Sequence, residues 1–322
     1  MPSDGLRLCG LDAKVVFGET MARIAARDPL LSVVVSDYGR RLNLEQIRKT
    51  LPEAFVQCGI AEQSQVEVAA ALANEGFHVM APSYATFITS RVLDQVRVML
   101  GMMASPVVLV GLSAGCEAGT LGASHMALED LACMRTIPGM TVVCPADNVE
   151  LAAVLEELAA APRPAYVRIS QYRSGVCIHA RGTRVHIGEA EVLRPSTHAR
   201  AAILATGPLT GEAMRAATLL AREGIEVEVV EFATVKPLDT TALDALARKE
   251  LVVTVEDHGV QGGFGSAVAE HLSGIAGSAR VMRLGMPDAY PSADMPARLL
   301  ERAGLTAGGI AVAVREGLAW AR

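Results

Sequence analysis

The stretch QCGIAEQSQVEVAAALAN, residues 57–74, sets one carboxylate, Glu62, at the mouth of an otherwise apolar, alanine-rich segment. Behind it Val66, Ala69, Ala70 and Ala73 recur at helical spacing, and Gly76 follows where a helix end favours positive φ. The spacing predicts a buried, closely packed helix. A first-turn carboxylate suits the helix dipole, so Glu62 reads either as an ordinary charge facing water or as a buried acid with chemistry to do. His125 is a second candidate, because it closes the glycine-rich run 111–125, and long permissive loops after strands are where reactive groups sit. Tyr84 and Phe87, three apart, read as core packing or as a platform for a planar ligand. Asp37, Arg40 and Arg41 follow the apolar run LLSVVVS. Such a run suits a strand covered on both faces, and ligands of open α/β sheets bind beyond the C-terminal ends of such strands.

The elements that must position these residues alternate along the chain. Strands are expected at 31–36, 78–81, 106–110, 141–144 and 165–169, with helices at 13–27, from 62, on to about 103, from His125 to Pro138, and at 147–160 behind an Asp or Asn cap. A polar segment, 171–186, reads as a linker. The alternation then resumes, with strands at 201–205, 227–231 and 251–256 and helices at 210–223 and 240–248. The expected architecture is α/β with parallel sheets in two domains, 1–175 and 189–322, joined by a linker at 176–188. Gly262-Gly-Phe-Gly265 opens a helix after a strand, but Val268 stands where a dinucleotide loop needs a small residue. Close backbone packing is the better reading.

Half of the 322 residues are hydrophobic, enough for two cores. A net charge of -6, with no cluster of Lys and Arg interleaved with aromatics, excludes a nucleic-acid surface. No leader-like start and no apolar run of about 18 residues is present, so a cytoplasmic chain without membrane contact is expected. The six cysteines form no Cys-x-x-Cys pair and no zinc spacing, and are expected to be small, reduced core residues.

Several motifs together resemble the C-terminal half of a transketolase, as found in two-subunit transketolases and in 1-deoxyxylulose-5-phosphate synthase. They are Ser36-Asp37, Gly59-Ile-Ala-Glu-Gln63, Ser83-Tyr-Ala-Thr-Phe87 with Arg91 and Asp94-Gln95, Gly122-Ala-Ser-His125, Glu129-Asp130, Ile137-Pro-Gly-Met140, Pro145-Ala-Asp147, Lys236-Pro-Leu-Asp239, and Glu256 with Gly262-Gly-Phe-Gly265. The resemblance implies a thiamine diphosphate (thiamine pyrophosphate) enzyme whose first domain binds the aminopyrimidine and whose second is the transketolase C-terminal domain. Glu62 would hydrogen-bond the pyrimidine as a buried acid raised by desolvation. Phe87 and Tyr84 would contact the ring, and Asp37 and Arg91 would complete the cofactor contacts. His125 would touch the donor substrate. The family's metal motif for Mg2+ (or Ca2+) belongs to the other half, so no metal ligand is expected here. An N-terminal partner subunit, an α2β2 heterotetramer and no activity of the isolated chain are implied.

The substrate positions depart from the family pattern. Leu121 replaces an aspartate, Ser113 a histidine that contacts phosphate, and Gln171 an arginine that grips it. Lys14 and Arg41 read as replacement cations or as plain surface charges. The expected reaction moves a two-carbon ketol unit between small molecules, with a substrate other than an ordinary sugar phosphate. A decarboxylating synthase or 2-oxo acid dehydrogenase β-type subunit, and a noncatalytic scaffold, are the alternatives.

Overall fold

A computed structural model describes residues 3–37, 39–172, 177–180 and 185–320, without the side chains of residues 3–6 and Arg41. Twelve strands are described: β1 (Leu31–Val35), β2 (Phe55–Gln57), β3 (His78–Tyr84), β4 (Val107–Leu112), β5 (Thr141–Val143), β6 (Ala165–Arg168), β7 (Glu191–Arg194), β8 (Ala201–Ala205), β9 (Val227–Glu231), β10 (Thr234–Lys236), β11 (Leu251–Gly259) and β12 (Arg280–Met286). They form a seven-stranded sheet, β10-β5-β6-β4-β3-β1-β2, and a five-stranded sheet, β12-β11-β8-β9-β7. Every pairing is parallel except that of β10 with β5 and that of β7 with β9.

Continuous apolar sequence explains the central strands. All residues of β1 (LSVVV) and β4 (VVLVGL) are buried, because helices cover both faces of the sheet. The helix Glu62–Asn74 buries Val66, Ala69, Ala70 and Ala73, the positions its periodicity singled out. Gly76 takes φ +96 just beyond it, a conformation in which a side chain would be strained. One apolar core runs through both sheets, joining Val34, Ala69 and Leu109 to Leu204, Phe232 and Phe264.

Two expectations need correction. Cys9 and Cys177 are bonded as a disulfide, with Cα atoms 5.6 Å apart and 168 residues between them in sequence, a pairing that spacing alone cannot reveal. Cys116 and Cys144 remain buried free thiols, each pushed up to about 12 by burial. His125 does not start a helix. It ends a short 3-10 turn, Ala123–His125, and the helix begins only at Asp130, because Gly115 N donates to Ala127 O at 3.0 Å and holds the intervening chain extended. Within the segment 171–186, expected as a linker, Gln171, Tyr172 and His179 are engaged in hydrogen bonds, while residues 173–176 and 181–184 lie outside the described part. Among the described residues no helix is long and apolar enough to cross a membrane.

At the opening of the helix Phe264–Ser273, the Glu256 carboxylate accepts from Phe264 N at 2.7 Å and Gly265 N at 2.8 Å. It takes the place a phosphate would need at that helix end, and a Cβ on Gly263 would run into it. Close packing is thus what the glycines serve.

Candidate active site

Successive strands of the larger sheet deliver the candidate residues to one edge. Asp37 follows β1, Glu62 follows β2, Tyr84 ends β3, Ser113 follows β4 and Gln171 follows β6. All five strand ends are carboxyl ends, the edge at which parallel sheets bind ligands. Gln65, fully buried, fixes the Glu62 helix against this edge, donating to Val34 O at 2.8 Å and Pro82 O at 3.0 Å.

Glu62 is the first residue of its helix and its side chain is only 4% exposed. Arg91 Nη1 donates to its Oε2 at 2.9 Å, and the same guanidinium lies 3.7 Å above the Phe87 ring centroid. Glu62 is therefore buried, as expected from sequence, and paired with Arg91. Phe87, Tyr84 and His125 form a triangle of rings: His125 is 5.3 Å from each of the other two, and Tyr84 and Phe87 are 5.5 Å apart, all meeting edge to face. Ser124 Oγ lies 3.1 Å from His125 Nδ1. Four of the five expected cofactor residues, Glu62, Arg91, Phe87 and Tyr84, thus meet His125 in one cluster.

Asp37 lies just past the carboxyl end of β1. It is exposed and lines a cleft of about 260 Å3 with Arg40, Glu45, Arg48 and Gln57. Arg41 lies in the 3-10 turn Gly39–Leu42, its side chain outside the described part. Leu121 is 53% exposed at the end of the turn Gly119–Leu121.

The remaining substrate candidates converge on a residue the sequence reading missed. Glu117 Oε1 accepts from Lys14 Nζ at 2.9 Å and from Ser113 Oγ at 3.1 Å, while Oε2 accepts from Gln171 N at 2.9 Å. Burial pulls the Lys14 ammonium down, but the charge and hydrogen bond of Glu117 outweigh it and hold Lys14 above its ordinary value. Lys14 is neither a loose surface charge nor an uncommitted cation. The Gln171 side chain is also committed, accepting from Ala13 N at 3.0 Å and donating to Leu11 O at 2.9 Å. Ser113 adopts φ +53, unusual for a non-glycine residue, at the turn that brings its hydroxyl to Glu117. The available signal for Glu117 was a lone carboxylate inside a loop of Gly, Ala and Ser.

The family model for the transketolase pyrimidine-binding domain matches residues 10–173, and that for the transketolase C-terminal domain matches residues 188–310. This chain belongs to the transketolase family. It is 34% identical over 299 residues to a 6-deoxy-6-sulfo-D-fructose transketolase subunit of Clostridium sp. (strain MSTE9), covering 92% of each chain. It is 36% identical over 307 residues to the 1-deoxy-D-xylulose-5-phosphate synthase of Magnetococcus marinus, where 94% of this chain spans only 48% of that relative. A solved split-gene transketolase, described as an inactive β4 tetramer, superposes with a TM-score of 0.85 at 34% identity, covering 97% of this chain and all of that one. The transketolase-like chain therefore has relatives that are separate subunits as well as relatives in which it corresponds to half of one polypeptide.

Proposed function

We propose that this transketolase-family chain is the pyrimidine-side subunit of a two-subunit, thiamine diphosphate-dependent transferase that moves a two-carbon ketol unit from a ketone donor to an acceptor carbonyl. The observation that carries the reading is the buried Glu62 carboxylate beside the ring triangle of Phe87, Tyr84 and His125. A carboxylate next to an aromatic wall fits a flat, nitrogen-rich ring. When bound, the cofactor supplies the carbanion-stabilising centre of the reaction. In this proposal Glu62 hydrogen-bonds a ring nitrogen of the pyrimidine, Arg91 holds the carboxylate in place through Oε2, and Phe87 and Tyr84 form the wall. His125, half-buried at the rim, exchanges a proton with substrate oxygens.

The N-terminal partner would hold the diphosphate and its Mg2+, in an α2β2 assembly. In support, Ile60 (78% exposed), two residues before Glu62, and Leu121, four before His125, are exposed apolar side chains of the kind a partner surface covers. The substrate side favours a molecule other than an ordinary sugar phosphate. Lys14 is neutralised by Glu117, and Gln171 is spent on the backbone of residues 11 and 13, so neither is free to grip a phosphate dianion. The likeness to a subunit whose sugar carries sulfur agrees with this.

The test is to purify the chain with its N-terminal partner, add thiamine diphosphate and Mg2+, and compare ketose donors ending in phosphate, sulfonate or hydroxyl. At least tenfold higher kcat/KM for a donor without phosphate is expected, where about 1.4 kcal/mol corresponds to tenfold. A preference for phosphate esters would overturn the substrate assignment. Carbon-carbon cleavage undiminished in Glu62→Ala would overturn the assignment of the site. Release of carbon dioxide from a 2-oxo acid donor, in keeping with the 1-deoxy-D-xylulose-5-phosphate synthase likeness, would replace ketol transfer by decarboxylating synthesis.

A further inference from the structure

Three stretches far apart in sequence bring metal-ligand side chains to one buried point. Glu150 comes from the first turn of the helix Asn148–Ala160, His179 from the segment between the two sheets, and Glu231 from the last position of β9. One atom of each lies within 4.8 Å of the others, and all three residues are buried. The side chains of His179 and Glu231 are 2% and 1% exposed.

The hydrogen bonding around them is incomplete in a particular way. Glu150 Oε2 accepts from Ala146 N at 2.7 Å, which leaves Oε1 for another partner. His179 Nδ1 faces Asp147 Oδ2 at 3.3 Å, while Asp147 is itself fixed by the backbone N–H groups of Val149, Glu150, Ile178 and His179. A proton on Nδ1 then turns the Nε2 lone pair toward the carboxylates, the carboxylate-histidine arrangement that orients a metal ligand. Nε2 sits 2.9 Å from Glu231 Oε2 and 3.4 Å from Glu191 Oε2. Yet His179 Nε2 and both carboxylate oxygens of Glu231 lack an aligned hydrogen-bond partner. Donor atoms around a tetrahedral ion with bonds of about 2.1 Å stand roughly 3.4 Å apart, the spacing of His179 Nε2 and Glu191 Oε2, while the 2.9 Å between His179 Nε2 and Glu231 Oε2 is that of a direct ion-pair contact which an ion would open.

We propose that Glu150, His179 and Glu231 bind one divalent ion of the zinc class, with Glu191 at the open side of the site, and that the ion clamps the two sheets to the segment between them. A mixed N/O donor set with an imidazole favours zinc over magnesium. Two buried carboxylates beside a third at Asp147 carry an excess of negative charge that a divalent cation cancels. Without an ion the cluster relies on protons. Burial pulls the His179 imidazole down, but Asp147 and Glu231 raise it to about 11, while burial pushes Glu150 and Glu231 up. An open cleft of about 380 Å3, lined by Glu150, His186, Glu189, Glu191 and Glu231, provides access.

The test uses the full chain, stripped by chelator and titrated with Zn2+ by calorimetry, with bound metal counted by mass spectrometry after dialysis. One ion per chain is expected, with loss of the ion in His179→Ala and Glu231→Gln. Asp147→Asn retains a capping side chain and should weaken binding about 10- to 100-fold. Glu191→Gln, at an exposed position, guards against misfolding and should also lower the affinity. Bound Zn2+ should raise Tm in the wild type. Absence of stoichiometric uptake by folded chain, or uptake unchanged in His179→Ala and Glu191→Gln, would overturn the site and leave a proton-sharing cluster.

Discussion

Two arginine-carboxylate arrangements in this molecule use the same chemistry to opposite ends. At the sheet edge, Arg91 holds one oxygen of Glu62 and remains 44% exposed. At the junction of the two sheets, Arg168 is fully buried, bonded to Asp130 at 2.8 Å and to Asp257, and further bound by the carbonyls of Ala127 and Asp257. Tyr166 donates to Asp130 at 2.6 Å, and Ser170 and Tyr172 donate to Asp257 at 2.8 and 2.7 Å. The junction is rich in charge-assisted hydrogen bonds, though one oxygen of Asp130 is left over, and it ties β6 of the larger sheet to β11 of the smaller. At the edge, Glu62 shares one hydrogen bond with Arg91 beside the three rings. An ion pair surrounded by donors serves assembly, whereas one with spare capacity beside a surface can serve a ligand.

Substitutions separate the two arrangements. Glu62→Ala should cut ketol transfer by the complex with its partner about 10²- to 10⁴-fold, the range typical of proton-handling groups, while leaving Tm within a few degrees of wild type. An equal fall in both would break the distinction. Asp257→Asn should do the reverse, costing about 3–5 kcal/mol in denaturant unfolding because Arg168 is left buried beside an unmatched partner. Phe87→Ala should weaken cofactor binding about tenfold, in line with roughly 0.5–1.5 kcal/mol for aromatic contacts plus lost area, as read by calorimetry on the complex.

The smallest effect is in pH. Burial pushes the Asp257 carboxyl up, but Arg168, Tyr172 and Ser170 outweigh it and hold it below its ordinary value of 3.8. A folded pKa below the unfolded one means a contribution fully present above 3.8 and lost as pH falls through the folded value. The Tm of the wild type should therefore lose this contribution only in strong acid, and Asp257→Asn should lack that part of the profile. An unchanged acid profile in the variant would remove Asp257 as its source.

Legibility in sequence followed the range of the interactions. The Glu62 helix was readable because its cause is local: an apolar stripe of Val66, Ala69, Ala70 and Ala73 closed by a glycine. The ring triangle was half readable, since Tyr84 and Phe87 share a motif but His125 reaches them only through a loop held extended by the Gly115–Ala127 bridge. Glu117 was invisible because its partners, Lys14 and Gln171, lie 103 and 54 residues away. The Cys9–Cys177 bond and the antiparallel strands β7 and β10 failed for the same reason, as nothing in a short stretch names its distant neighbour.

The strand β10 gives the chain a particular order of assembly. Thr234 and Lys236 complete the larger sheet by pairing with Val143 and Val142, yet the chain has already passed through β8 and β9 of the smaller sheet before reaching them. A polypeptide emerging from the ribosome must keep the edge of β5 open while some ninety further residues are made, at about 5–20 residues per second. An unpaired edge flanked by apolar surface invites pairing with other nascent chains. A version cut after the first sheet's own residues would retain that open edge permanently and should aggregate, whereas one extended through Lys236 would have the strand needed to cover it.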